Sequence, residues 1–179
     1  VEEQTEFSII AKGTAENSKT TIKLNKGAIT NEIQNKLSEE SSYEVNTPNS
    51  TMAVRGTIFR VEVYYDENGV CYTKVSVFEG SVSTKLIYPD GSISDEEVYV
   101  EAGKEIIIYE DDSTTDYLGD IRDIDYSQLP EEVIALLETI LDDFTGYATA
   151  TDAREGEFTV TFMYNGNVFG TQVIKEGEC

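Results

Sequence analysis

The stretch Y43-E-V-N-T-P-N-S-T-M-A-V-R-G-T-I-F-R-V-E-V63 decides the fold. It alternates apolar and polar residues, as a half-buried β-strand does. It breaks at Asn46-Thr47-Pro48-Asn49, resumes, and then sets Arg55-Gly56 among apolar neighbours. Proline lacks a backbone N–H, and glycine accepts conformations closed to other residues. Short strands that change direction account for both interruptions better than a ligand site does.

Working outward, strand-like runs recur: Phe7 to Ala11, Thr20 to Leu24, Met52 to Val54, Thr57 to Tyr65, Val70 to Phe78 and Glu97 to Ala102. All are rich in Val, Ile, Thr, Tyr and Phe. The gaps "DENG" (Asp66 to Gly69) and "YPDGS" (Tyr88 to Ser92) carry hairpin chemistry. A weak repeat links "IKLNKGAIT" (Ile22 to Thr30), "VSVFEGSVS" (Val75 to Ser83) and "VYVEAGKEI" (Val98 to Ile106). Gly27, Gly80 and Gly103 fill equivalent slots in it, and Gly56 fills the slot in a compressed version, "MAVRGTIF". Glycine at a regular place in a strand marks a bend or bulge. The expectation is a mainly β fold, a roll, jelly roll or short β-solenoid, whose chain repeatedly turns from one sheet into another.

The 179 residues include 39% hydrophobic ones, enough for a core. Thirteen basic residues against 35 acidic ones give a formal charge of −22. Such a field repels phosphate backbones and anionic lipid, so nucleic-acid binding is excluded as a working hypothesis. No run of about 18 apolar residues exists to insert into a membrane, and no signal peptide is visible. Both ends read as cuts in a longer protein. Cys71 and Cys179 cannot make a disulfide framework, and Cys71, in an apolar run, reads as a small core residue.

Residues 111–128 read as an acidic connector between a β-domain at 1–110 and a C-terminal segment at 129–179. In the latter, Val133, Leu136, Leu137, Ile140, Leu141 and Phe144 recur at helical steps, predicting an amphipathic helix over about 130–144. Pro130 suits its first turn, and Gly146 its end. Residues 147–157 read as a small-residue linker. Phe158 to Glu178 reads as a hairpin turning at Asn165-Gly166.

Residues 5–110 resemble the FecR-type domain family. The resemblance rests on Tyr43, Val45, Thr47 and Pro48, then Ala53, Val54, Arg55, Gly56, Thr57, Phe59 and Val61. Val75, Val77, Glu79, Gly80 and Val82 follow in order, then Ala102, Gly103 and Lys104. It implies an extracytoplasmic β-rich module, in its best-known setting one that relays a receptor's state to a sigma-factor regulator. Residues 158–178 resemble the start of the Listeria–Bacteroides type surface repeat, through Thr159, Val160, Phe162, Asn165, Gly166, Gln172, Val173, Gly177 and Glu178. That resemblance implies a repeat-bearing bacterial surface protein.

Arg55 is the residue most open to a functional role, because a guanidinium suits a carboxylate ligand. An interior Arg is normally paired, so Arg55 is expected to be structural, with Glu79 as its first-choice partner. Thr47, Pro48, Gly56, Thr57, Gly80 and Gly103 are likewise expected to be structural. Asp111, Asp112, Asp116, Asp120, Asp123 and Asp125 could approach a Ca²⁺, but the ordered spacing of a calcium loop is missing, and a solvated connector is expected. Without His or Trp, and with no singled-out carboxylate pair, the chain is expected to be non-enzymatic, without cofactor or metal. Tyr64, Tyr65, Tyr72, Tyr88, Tyr99 and Tyr109 read as strand residues more than as a stacking platform.

The leading expectation is an extracellular binding or scaffold module of a modular bacterial surface protein. It would present a rigid β-surface to a protein or cell-wall glycan. The alternatives are an extracytoplasmic sensor domain of a FecR-like transmembrane regulator and, more weakly, a carboxylate-dependent glycan hydrolase. Ligand identity, strand order and oligomeric state stay open at the level of sequence.

Overall fold

The computed structural model describes residues 1–14, 17–33, 41–54, 56–109, 121–141, 147–154, 157–164 and 167–175. Two compact units divide the chain, Val1–Ile124 and Asp125–Cys179.

The first unit holds β1 (Glu6–Thr14), β2 (Asn17–Glu32), β3 (Ser42–Asn46), β4 (Ser50–Val54), β5 (Ile58–Tyr65), β6 (Cys71–Glu79), β7 (Ser81–Leu86), β8 (Val98–Glu101), β9 (Lys104–Tyr109) and β10 (Arg122–Asp123). They join in one continuous sheet of order β10-β9-β6-β5-β2-β3-β4-β7-β8, with β1 added on β2. Pairings are antiparallel except β2 with β3, which is parallel. The sheet folds on itself along β2. Residues up to Lys26 pair with β1 and β3, and residues from Gly27 pair with β5. One half is therefore β1-β2-β3-β4-β7-β8 and the other β2-β5-β6-β9-β10.

Apolar alternation fixes which face each strand buries. Val45, Met52, Val54, Val82 and Val100 come from the first half, and Phe59, Val61, Val63, Val75, Val77, Ile106 and Ile108 from the second. All lie in one buried cluster, so the two halves share a single core. Period-2 spacing makes this possible, since residues two apart in a strand share a face.

The glycines of the sequence repeat mark the passages between the halves. Gly27 bends β2, Gly56 joins β4 to β5, Gly80 joins β6 to β7, and Gly103 joins β8 to β9. All four have positive φ, between 62° and 91°. At two of them space is also closed. A Cβ on Gly27 would lie 2.6 Å from Thr5 Cα, and one on Gly80 would lie 2.8 Å from the Gly56 carbonyl oxygen. Thr5 fills the Gly27 bend because its Oγ1 accepts from the Ala28 N–H at 3.1 Å. The expected roll, with its chain turning from sheet to sheet, is the observed architecture.

In the second unit a 3₁₀ turn at Tyr126–Gln128 precedes α1 (Glu131–Ile140). Asp125 caps the turn by accepting from Ser127 N–H. Glu131 and Glu132 sit in the first turn of α1, where they complement the positive helix end. Residues Val133, Ile134 and Leu137 are buried, whereas Leu136 is 40% exposed. The buried stripe is thus rotated from the expected one, taking in Ile134 and leaving out Leu136. At about 100° per residue, Leu136 falls well away from the arc shared by 133, 134 and 137. The expected helix end at Gly146, and Phe144, lie outside the described residues.

A separate three-stranded sheet follows: β11 (Tyr147–Arg154), β12 (Glu157–Tyr164) and β13 (Asn167–Lys175), all antiparallel. The hairpin over 158–175 is as expected. The segment read as a linker is a strand, β11, for a reason visible in "YATAT": small and β-branched residues alternate there. A third strand also gives the hairpin the support that two strands lack.

Gly103 has open space around its missing Cβ, whereas Gly80 does not. Gly103→Ala is therefore expected to cost about 1 kcal/mol, the left-handed strain alone. Gly80→Ala should cost about 2–4 kcal/mol, because the Gly56 backbone must also shift. Urea unfolding of both variants checks this, and equal losses at the two positions would refute it.

Candidate functional site

The Thr47-Pro48-Asn49-Ser50 turn joins β3 to β4 and fastens one end of the roll. Thr47 and Ser50 are buried, and their backbones bond at 2.8 Å, Thr47 N–H to Ser50 O. The Ser50 N–H donates to Thr47 Oγ1 at 3.1 Å, closing the turn locally. Asn49 then ties both halves together. Its Nδ2 donates to the carbonyls of Cys71 and Ile108, at 3.1 and 3.2 Å, and its own carbonyl accepts from Ile87 N–H at 2.9 Å. Thr73, buried in β6, donates to Asn49 Oδ1 at 2.6 Å. Pro48 lies exposed at the tip.

At the passage beside Gly56, Thr57 is buried and its hydroxyl donates to Ser81 O at 3.0 Å. Glu79 is exposed next to Gly80. Arg55, and with it the expected pairing to Glu79, lies outside the described residues. Gly103 N–H donates to Val77 O, and Gly103 O accepts from Ile124 N–H, at 2.8 and 3.0 Å.

The outer face of the second half carries a row of polar residues in direct register: Thr30, Arg60, Ser76, Glu105 and Arg122, on β2, β5, β6, β9 and β10. Arg60 is 3% exposed. Its Nε and Nη2 hold both carboxylate oxygens of Glu2, at 2.7 and 3.0 Å, and its Nη1 holds Glu62 at 2.7 Å. Burial works against its charge, but the two carboxylates outweigh burial and raise its pKa above the ordinary value. Glu105 is completely buried. Its oxygens take Lys74 at 3.1 Å, Arg122 at 2.8 Å and the Ser76 hydroxyl at 3.2 Å. Three carboxylates thus face three cations, and the row is neutral. Sequence reasoning picked out Arg55 and passed over Arg60. The visible signal was an Arg at the polar phase of "IFRVEV", with Glu62 two residues on; Glu2 had no signal.

Beside this row Tyr64, Tyr72 and Tyr109 form a ladder across β5, β6 and β9. Ring centroids are 5.1 and 5.4 Å apart, with the first pair nearly parallel. These are cross-strand neighbours, which fits the expected strand role. Cys71 is half-buried against the core, and burial pushes its thiol pKa up, which favours the unreactive thiol.

The outer face of the first half carries a different row: Thr21, Glu44, Ala53, Ser83 and Tyr99, on β2, β3, β4, β7 and β8. Glu44, Ala53, Ser81, Ser83, Glu97 and Tyr99 help line a groove of about 440 Å³. Two carboxylates, small Ser and Ala side chains and a Tyr99 ring that is 57% exposed are among its lining. Such a groove can accept hydrogen bonds and seat a cation against an aromatic face. Spacing could show these residues facing outward. It could not show them adjacent, because β7 lies beside β4 only through the strand order.

Of the acidic cluster, Asp123 pairs with Lys104 at 2.6 Å and Asp125 caps the 3₁₀ turn; Asp111, Asp112, Asp116 and Asp120 lie outside the described residues. Among the described residues no group of His, Cys, Asp or Glu is placed to hold a metal, and no helix is long and apolar enough to cross a membrane.

Breaking one side of a buried ion pair leaves an uncompensated charge. Lys74→Met leaves buried Glu105 with only Arg122, whose side chain is 56% exposed, as counter-charge, and is expected to lose about 2 kcal/mol of stability. The double variant Lys74→Met, Glu105→Leu should lose clearly less than that single variant. A denaturant double-mutant cycle measures this; additive losses would overturn the account of the row.

The model of the family described as FecR protein matches residues 1–83. No curated protein matches the chain. A crystal structure at 1.65 Å of a candidate anti-sigma factor from Parabacteroides distasonis ATCC 8503 is similar, with a TM-score of 0.45 and 18% identity over 74% of this chain and 51% of that one. A second, at 2.50 Å and under the same description, has a TM-score of 0.43 and 19% identity over 67% and 46%. The chain spans about half the length of each. The surface-repeat resemblance of 158–178 gains no support from these matches. The family match takes in β1 to β6, the Thr47–Ser50 turn and the bends at Gly27, Gly56 and Gly80, and it supports a FecR-type domain in this part of the chain.

Proposed function

We propose that this chain is a non-enzymatic, FecR-type protein-recognition domain that acts outside the cytoplasm as the sensory part of a signalling regulator. The observation that carries this is the family match over residues 1–83, which takes in β1 to β6 of the roll. The leading expectation from sequence, a surface scaffold or binding module, drew on the surface-repeat resemblance in the C-terminal segment, and that resemblance has no matching support; the sensor alternative is the better supported. A protein partner is preferred over a glycan for the same reason: regulators of this type work by contact with other proteins.

The geometry adds a place for the contact. The roll is held by a shared core, the Asn49 clasp and the neutral charge row, so its outer surfaces are rigid platforms. The groove of Glu44, Ser83, Glu97 and Tyr99 offers acceptors and an aromatic face, and suits a partner segment with basic side chains. Glu105 is fully buried and already held by Lys74 and Arg122, so it is not available as a free base.

The test is an in-frame deletion of residues 1–109 in the gene, with a second strain carrying Ser83→Arg to fill the groove. Transcripts are profiled in both. A discrete gene set should lose its normal induction in the deletion strain and, in part, in the Ser83→Arg strain. An unchanged transcript profile together with loss of cell adhesion would reject the sensor role and restore the scaffold one.

A further inference from the structure

β1 is an edge strand with no hydrogen-bonded neighbour on its far side among the described strands. Every residue from Glu6 to Gly13 is exposed. That includes Phe7 at 39%, Ile9 at 56% and Ile10 at 46%. Soluble proteins usually protect such an edge, since its free N–H and C=O groups invite another strand. Here no proline or short length protects it; β1 runs nine residues, "EFSIIAKGT".

The order of residues along β1 says what fits. We infer that β1 pairs antiparallel with β1 of a second copy of this chain, about a two-fold axis at Ile9. In that register Ile9 stands opposite Ile9, Phe7 opposite Ala11, and Ser8 opposite Ile10. Glu6 stands opposite Lys12, and by symmetry this ion pair forms twice. Glu6 and Lys12 lie three places either side of Ile9, so both point to one face, and Phe7, Ile9 and Ala11 point to the other. Shifting the axis to Ile10 loses this match, setting Glu6 against Thr14 and Lys12 against Ser8. Lys12 would ordinarily deter association at an edge. In the Ile9 register it is the complement of Glu6. The pairing extends the first half of the sheet across two copies, and it does not depend on the function proposed above.

The opposing force is charge, because each copy carries −22. At physiological ionic strength the screening length is about 8 Å, so distant repulsion is damped while the contact pairs persist.

The test uses the full chain in light scattering after gel filtration, at high concentration and physiological salt. The wild-type chain should run at twice 19.9 kDa. Glu6→Lys and Lys12→Glu, tested separately, set like charges opposite each other twice, and each should dissociate at least about tenfold more readily. Glu6→Lys makes the chain less acidic, so a general charge effect predicts the reverse. Mixing the two single variants restores both pairs, and a heterodimer should form. A check that leaves both charges in place is available if either variant unfolds: Ile9→Cys, with Cys71→Ala and Cys179→Ala, should crosslink to a dimer on oxidation, while Phe7→Cys in the same background should not. A monomeric wild type, a dimer that survives both reversals, or equal crosslinking from positions 7 and 9 would each overturn the proposal.

Discussion

The roll depends on a crowding of backbone that only glycine permits. Where β6 passes into β7, Gly80 faces the carbonyl of Gly56, which itself links β4 to β5. Two passages between the halves therefore touch, and neither strand could leave its sheet at that point with a side chain in the way. Left-handed φ at four passages lets the chain enter each half in turn while the apolar phase stays on the inside. The same constraint makes the core single. A chain that stayed in one sheet would expose one face of β5 and β6 or need helices to cover it.

Closing such a roll leaves polar backbone at its ends, and the Thr-Pro-Asn-Ser turn answers this. Asn49 satisfies carbonyls of β6 and β9 while its own carbonyl is satisfied from beyond β7. The side-chain amide donates twice through Nδ2 and at the same time accepts from Thr73 through Oδ1, while the backbone carbonyl takes the Ile87 N–H. The charge row on the second half is a different solution to burial. Glu105 and Arg60 are out of water, and such charges are tolerable only when paired and hydrogen-bonded. Arg60 is held by Glu62 of its own strand and by Glu2 of the N-terminal segment, and Glu105 by Lys74 on β6 and Arg122 on β10. The N-terminal segment and β10 are thereby held down on the sheet.

Much of this was legible. The strands, the glycine bends and the helix follow from period and turn chemistry, which are local. What failed was non-local. Ile134 rather than Leu136 lies in the buried arc of α1, because tertiary packing and not the sequence period chooses which part of a broad apolar arc is covered. β11 was hidden because Ala and Thr are common in both linkers and strands. Arg60 was hidden because Glu2, which holds it through both carboxylate oxygens, is 58 residues away. The groove was hidden because its four strands become neighbours only through the order β3-β4-β7-β8.

The two surfaces of the first half are connected by symmetry. Ile10 pairs with Thr21, Thr21 with Glu44, and Glu44 with Ala53, so the groove face runs unbroken from β1 to the groove. An antiparallel pairing about Ile9 has its two-fold axis perpendicular to the sheet, since like residues stand opposite on one face. Both grooves would then open on the same side of one extended sheet. A partner with two recognition segments could bind both, and the second contact would be made at the high effective concentration set by the first. A regulator built this way would respond to whether its partner is paired as well as to whether it is present. The charge of −22 fits that arrangement. It opposes unguided association of copies, and it leaves the register of β1 and a basic partner as the contacts that can prevail against it.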